Sequence, residues 1–236
     1  MQYKGNMLRH EMKYYINKSV YHTLRNRLKT VIFIDPNMKR EEGYLVSSLY
    51  FDDMYQSALE EKQSGIRFRK KFRIRCYDLE DKYIKLECKK KYHEFISKIS
   101  APLTRAEYDC ILSGNYEFLG HRKEQVCKEL LAYNRIRLMK PKVVVEYMRE
   151  AYVLPTGNVR ITFDKDIAAS IGNYNMFSKD YITRKVLEEE TMVMEVKFDD
   201  FLPAHVMSIL RTAMTDKCAI SKYVMCREEK RRIQLR

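Results

Sequence analysis

Between Ile66 and Lys91 the chain writes one pattern twice, and that pattern restricts the folds open to it. Read as an extended strand, Arg67, Arg69, Lys71, Arg73 and Arg75 share one face, while Ile66, Phe68, Phe72, Ile74 and Cys76 share the other, interrupted only by Lys70. Side chains alternate faces along a strand, so an apolar wall is backed by a row of five cations. After a turn near Leu79–Lys82, a second strand sets Lys85, Glu87, Lys89 and Lys91 opposite Ile84, Leu86 and Cys88, with Lys90 turned to solvent. Like charges at neighbouring strand positions repel. Such a face must be bathed in water or enclose something negative.

The whole chain leans the same way. It carries 45 Lys and Arg against 32 Asp and Glu, a net charge of +13 with an isoelectric point near 9.3. This balance predicts a polyanionic partner: nucleic acid, a phosphorylated metabolite, polyphosphate or an anionic membrane. A hydrophobic content of 45% suffices for a core, and no Ser/Gly-rich run marks a linker, so residues 1–236 are expected to form one domain. The six cysteines form no CxxC pair and no His–Cys cluster, which predicts reduced thiols rather than a zinc site or a disulfide framework. The histidines show no metal spacing and read as structural or surface groups. No signal-peptide core opens the sequence, and no run approaches the roughly 18 apolar residues of a membrane helix. A cytoplasmic protein is expected, reaching a membrane only through a partner in another chain.

Other segments repeat the strand design. Arg9 to Ile16 places Arg9, Glu11, Lys13 and Tyr15 against Leu8, His10, Met12, Tyr14 and Ile16. Tyr44 to Asp52, Phe95 to Leu103, Lys142 to Leu154, Val159 to Asp164 and Thr191 to Phe198 also read as strands. Helices are predicted over Lys18–Val31 with Ser19 as N-cap, Asp53–Lys62, a stretch to Leu112 opened by a Thr104/Glu107 capping box, Glu124–Leu138, and a segment after Pro203. Ser221-Lys222-Tyr223 reads as a loop or short strand, and Arg227 to Arg236 as a surface helix or frayed end.

Two architectures satisfy these strands: an open sheet with one wet face, or a closed barrel with a polar lumen and helices outside. Isolated charges in a lumen are costly, so it would need water, counter-charges or a polyanion. Three Glu-x-Lys pairs, Glu11/Lys13, Glu87/Lys89 and Glu195/Lys197, favour the lumen. Each sets a metal-competent carboxylate beside a phosphate-binding ammonium on one strand face. Singly each reads as a surface ion pair; the repetition is the signal.

The pieces Arg9-His-Glu-Met-Lys13-Tyr14, Arg73-Ile-Arg75-Cys-Tyr77, Leu86-Glu-Cys-Lys89, Tyr147-Met-Arg149, Val159-Arg160-Ile-Thr-Phe-Asp164, Met194-Glu195-Val-Lys197 and Ser221-Lys222-Tyr223 follow in the order seen in the VTC domain. The chain resembles that family, the polyphosphate polymerase module of the vacuolar transporter chaperone complex and its bacterial relatives, from about residue 7 to about residue 230. The resemblance implies a triphosphate tunnel metalloenzyme: an α+β fold with a closed antiparallel β-barrel of about eight strands and helices packed outside. It implies Lys13, Arg73, Arg75, Lys89, Lys98, Arg149, Arg160 and Lys222 as phosphate ligands, joined on strand pattern by Lys197. Glu195 would be the metal carboxylate for Mn²⁺ or Mg²⁺, with Glu11 a second candidate. Among these, Lys222, Arg149 and Arg75 are expected to act on the reacting phosphates.

The activity implied is growth of inorganic polyphosphate from the γ-phosphate of ATP. The first strand carries Arg9-x-Glu11-x-Lys13 where the hydrolytic CYTH branch carries Glu-x-Glu-x-Lys, a lost acid that favours polymerisation. The alternatives are a metal-dependent triphosphatase acting on tripolyphosphate, RNA 5′ ends or thiamine triphosphate, and a non-catalytic polyphosphate or inositol phosphate binder. No nucleic-acid partner is expected, since neither a recognition helix nor an RNP pattern is present.

Overall fold

The predicted alternation is realised as one long antiparallel sheet in a computed structural model that describes residues 2–3, 6–7, 9–93, 95–178, 180–214 and 218–234. Two short strands, β1 (Gln2–Tyr3) and β2 (Asn6–Met7), pair with each other. The sheet contains β3 (His10–Asn17), β4 (Phe33–Ile34), β5 (Tyr44–Asp52), β6 (Phe68–Tyr77), β7 (Glu80–Tyr92), β8 (Phe95–Leu103), β9 (Lys140–Leu154), β10 (Val159–Ile171), β11 (Ile182–Lys185) and β12 (Thr191–Phe198). The helices are α1 (Lys18–Leu28), α2 (Ser57–Gln63), α3 (Arg105–Leu112), α4 (Gln125–Arg137), α5 (Ala204–Leu210) and α6 (Lys222–Gln234).

Eight strands run in the order β3-β12-β10-β9-β5-β6-β7-β8, with β11 added to β10 and β4 to β9. The expected barrel does not close. Among the described residues no ladder joins the outer strands β3 and β8, and an isolated bridge between Arg9 and Ile96 links them there. Pro102 lies in β8 without a backbone N–H to give, which suits an edge strand. Side chains span part of the gap: Lys89 of β7 donates to Glu11 of β3 at 2.9 Å.

Parity along each strand decides what faces where. Phe72, Ile74 and Cys76 of β6, with Leu86 and Cys88 of β7, pack outward against α3 and α4. Tyr14, Ile16, Ile161, Phe163, Met192 and Met194 pack outward on the other side against α1 and α5. Leu24 and Leu28 of α1 are fully buried there, each burial stabilising by about 1.5–3 kcal/mol. The opposite parity carries the charges, and α6 covers one end of that inner face through Tyr223 and Cys226 against Val143, Val145, Ile167 and Ala169. Gly43, at φ +103°, lets β5 approach β9: a Cβ there would stand 2.2 Å from the Arg149 carbonyl oxygen.

Local expectations shift at several points. The N-cap of α1 is Asn17, whose side chain accepts from the Val20 amide; Ser19 lies inside the helix. Thr104 and Glu107 form the expected capping box. Lys90 is not solvated, because Glu129 of α4 draws it outward into a 2.7 Å ion pair. Ser221-Lys222-Tyr223, read as a loop or short strand, instead opens α6, which carries on through the segment read as a surface helix or frayed end; Lys222 and Tyr223 are buried, and Tyr223 donates to Asp52 at 2.5 Å. Leu8, placed on the apolar side of the first strand, and residues 235–236 lie outside the described residues.

Outside the sheet's charged face, Glu150 is fully buried and collects Tyr21 at 2.5 Å, Arg25 at 2.8 Å, Tyr152, and Lys165 at 3.3 Å. Burial pushes its carboxyl up, but these donors outweigh burial and hold it below the usual carboxylate range. A depressed carboxyl stabilises the fold above its unfolded-state pKa and loses that contribution as pH falls through the folded value. Glu150→Gln should therefore cost about 3 kcal/mol near neutral pH and flatten the loss of stability in acid, as read from denaturant unfolding at two pH values.

Candidate functional site

The inner face encloses a cavity of about 340 Å³ lined by eleven Lys and Arg side chains against two carboxylates, Glu11 and Glu195. Strand parity brings them there: Lys13 and Glu11 from β3, Arg69 to Arg75 from β6, Lys89 and Lys91 from β7, Arg149 from β9, Glu195 and Lys197 from β12. Two helices add Lys62 from α2 and Lys222 from α6.

Carboxylates divide these cations into small groups. Lys13 lies 3.1 Å from Glu11 and 3.7 Å from Glu195, and Lys197 bridges the same two acids from the other side. Asp164 binds Arg149 through two hydrogen bonds of 2.6 and 2.8 Å and Lys222 at 2.5 Å. Glu87 takes Arg73 at 2.6 Å and Lys98 at 2.6 Å. Arg75 differs. It donates to the hydroxyls of Ser48 and Tyr147, both at 3.0 Å, and makes no ion pair among the described residues, although it helps hold the Glu87 carboxyl down.

These groupings set the protonation states. Burial and the neighbouring Glu195 push the Glu11 carboxyl up, yet Lys13, Lys89 and Lys197 overcome both and hold it far below the ordinary range. Glu195 is likewise lowered: Lys197, Lys13, Lys222 and Arg149 overcome its burial. Burial brings the Lys89 ammonium down to about 7, against the pull of Glu11 and helped by Lys13. The Lys71 ammonium also falls well below its ordinary value, through burial and then crowding by Arg69, Lys13, Lys89 and Lys62. The cavity is a field of cations with too few anions to satisfy it.

A family model described as the VTC domain matches residues 8–229, nearly the whole chain. The chain belongs to the VTC domain family. No curated protein matches its sequence. Among solved structures, a Bacillus halodurans protein described provisionally as an adenylate cyclase shares the fold at TM-score 0.52 and 14% identity, over 92% of this chain and 95% of that one. A Pyrococcus horikoshii protein aligns at TM-score 0.50 and 14% identity, over 94% and 99%.

In this VTC domain, Lys13, Arg73, Arg75, Lys89, Arg149, Lys197 and Lys222 meet around the cavity with Glu11 and Glu195. Lys98 and Arg160 stand apart from its lining. Lys98 is half exposed and tied to Glu87; Arg160 pairs with Asp35 at 2.6 Å and donates to the Tyr44 hydroxyl at 3.2 Å. Of the three further cations of the Ile66–Lys91 stretch, Arg69 and Lys71 line the cavity and Arg67 does not. Sequence reading passed over Tyr50, Tyr147 and Ser48, whose hydroxyls orient Arg73 and Arg75. Their signal was strand parity: Ser48 and Tyr50 alternate with the outward Leu49 and Phe51. Lys62 gave none, since it sits on a helix.

Because Lys71 must be charged to attract an anion, affinity for a long inorganic polyphosphate should fall as pH rises through its depressed pKa, well short of the ordinary lysine value of about 10.4. Lys71→Arg keeps its charge throughout and should flatten that component of a calorimetric pH series.

Proposed function

We propose that this VTC domain is an ATP-dependent inorganic polyphosphate polymerase. The observation that carries the reading is the enclosed surplus of cations around Glu11 and Glu195. Solvent is a poorer neutraliser for such a site than a chain of linked phosphates, each carrying negative charge at any physiological pH.

Glu11 and Glu195 also suit a divalent metal. Two hard oxygen donors are already bridged by the same pair of ammonium groups, Lys13 and Lys197, so both carboxylates address one cationic position. Glu11 and Glu195 would hold Mn²⁺ or Mg²⁺ jointly with oxygens of the bound phosphates, since no group of three or more His, Cys, Asp or Glu side chains that could hold a metal stands among the described residues. When bound, such an ion would neutralise phosphate charge and polarise the group in transfer.

The chain's own residues perform the positioning. Arg75, held by two hydroxyls rather than by an ion pair, offers its remaining N–H groups to phosphate. Arg149 and Lys222 are fixed on one buried Asp164, so both present charge to the cavity from a rigid base. A terminal oxygen of the growing chain attacks the γ-phosphorus of ATP, the bond from that phosphorus to the β-bridging oxygen breaks, and ADP leaves. The attacking oxygen is already ionised, so the step needs no general base. That matches a cavity without a histidine, whose two carboxylates are occupied by lysines.

Incubation with ATP and Mn²⁺ should yield long polyphosphate and ADP, resolved on a gel. Orthophosphate without polymer would identify a triphosphatase, and binding without turnover a binding module. Glu195→Gln and Lys222→Ala should each lower polymer formation by about 100-fold or more; full turnover in both would refute the assigned roles.

A further inference from the structure

The cavity cations differ in what holds them. In the interior Lys13, Lys89, Lys197, Arg149, Lys222 and Arg73 each rest on a carboxylate. Lys62, Arg69 and Lys71 instead make their hydrogen bonds to neutral acceptors. Lys62 donates to the Ala219 carbonyl at 2.7 Å, Arg69 to the Ile66 carbonyl, and Lys71 to the Ser221 hydroxyl at 3.1 Å while lying 5.0 Å over the Tyr223 ring. None of the three belongs to an ion pair among the described residues, and all line the same cavity.

Their placement extends the interior row. Arg69, Lys71, Arg73 and Arg75 have the same parity on β6, so they form one line of cations with about 6.6 Å between successive members and about 20 Å end to end. That line is longer than three linked phosphates can reach. Arg69 and Lys91 also border a neighbouring pocket of about 200 Å³, whose lining includes Asp52, Asp53 and Glu61.

We infer that Lys62, Arg69 and Lys71 form a second polyanion subsite at the mouth of the cavity, which holds the phosphates of a linear chain beyond those engaged by Arg73, Arg75 and Glu195. The inference rests on the polyphosphate reading for its ligand class. Because none of the three is tied to a carboxylate by an ion pair among the described residues, this subsite binds without a divalent metal. Its role is retention: a product held at the mouth after each transfer stays in place for the next addition, so the subsite sets product length.

The decisive quantity is the ratio of affinities for a long polyphosphate and for tripolyphosphate, measured by calorimetry in the presence of chelator. The wild-type protein should favour the long chain, and a Lys62→Met, Arg69→Met, Lys71→Met variant should lose that preference by about tenfold or more. Lys62→Met alone, a change on the partly exposed face of α2, should lose part of it and guards against a folding defect. With ATP and Mn²⁺ the same variants should release shorter polymers. A long-chain preference unchanged in the triple variant overturns the inference. A preference that is lost in the variants of a protein making no polymer supports the subsite while refuting the polymerase reading.

Discussion

Four carboxylates, three of them buried and one half-buried, make the rest of this structure possible. Glu11, Glu87, Asp164 and Glu195 stand among Lys and Arg side chains that would otherwise repel one another across the inner face of a single sheet. Each acid serves two or more cations, so the cations are fixed in place yet remain in excess. Burying a charge is expensive unless it is paired and hydrogen-bonded, and these networks supply both conditions. The residual positive potential is left for a ligand. Removing one of these acids would deprive at least two cations of their common support.

The sheet was legible because it obeys a period of two. Tyr44–Asp52, Phe95–Leu103 and Thr191–Phe198 have the strand limits expected, and the inward and outward sets of β6 and β7 follow parity alone. Lys90 departs from this reading because Glu129 of α4 captures it, a tertiary partner that no local pattern encodes. The barrel's closure was also beyond the sequence. Whether two edge strands form a ladder depends on the tilt accumulated over the whole sheet, and here the edges meet at one bridge.

The α6 segment shows a different limit. Its composition, rich in Lys, Arg and Glu, resembles a solvated tail, and only Tyr223 and Cys226, one helical turn apart, mark a buried stripe. The side chains that matter most for the site are those whose neighbours come from distant parts of the chain. Lys222 meets Asp164, Tyr147 and Glu195, drawn from three different strands. The VTC family match and the recovered parity agree on this assembly of elements, while Lys62, on a helix, enters only through geometry.

The seating of α6 also fixes when the cavity comes into being. The Ile220 carbonyl lies 3.4 Å from the Lys13 ammonium, and the Cys218 amide donates to the Lys13 carbonyl, joining positions some 207 residues apart. Contacts of such long range form late in folding, because a large loop must close before they reward the chain. A nascent chain emerging from the ribosome therefore displays its basic strands before the segment that roofs them exists. During that interval the basic face lacks Lys222, which α6 seats on Asp164.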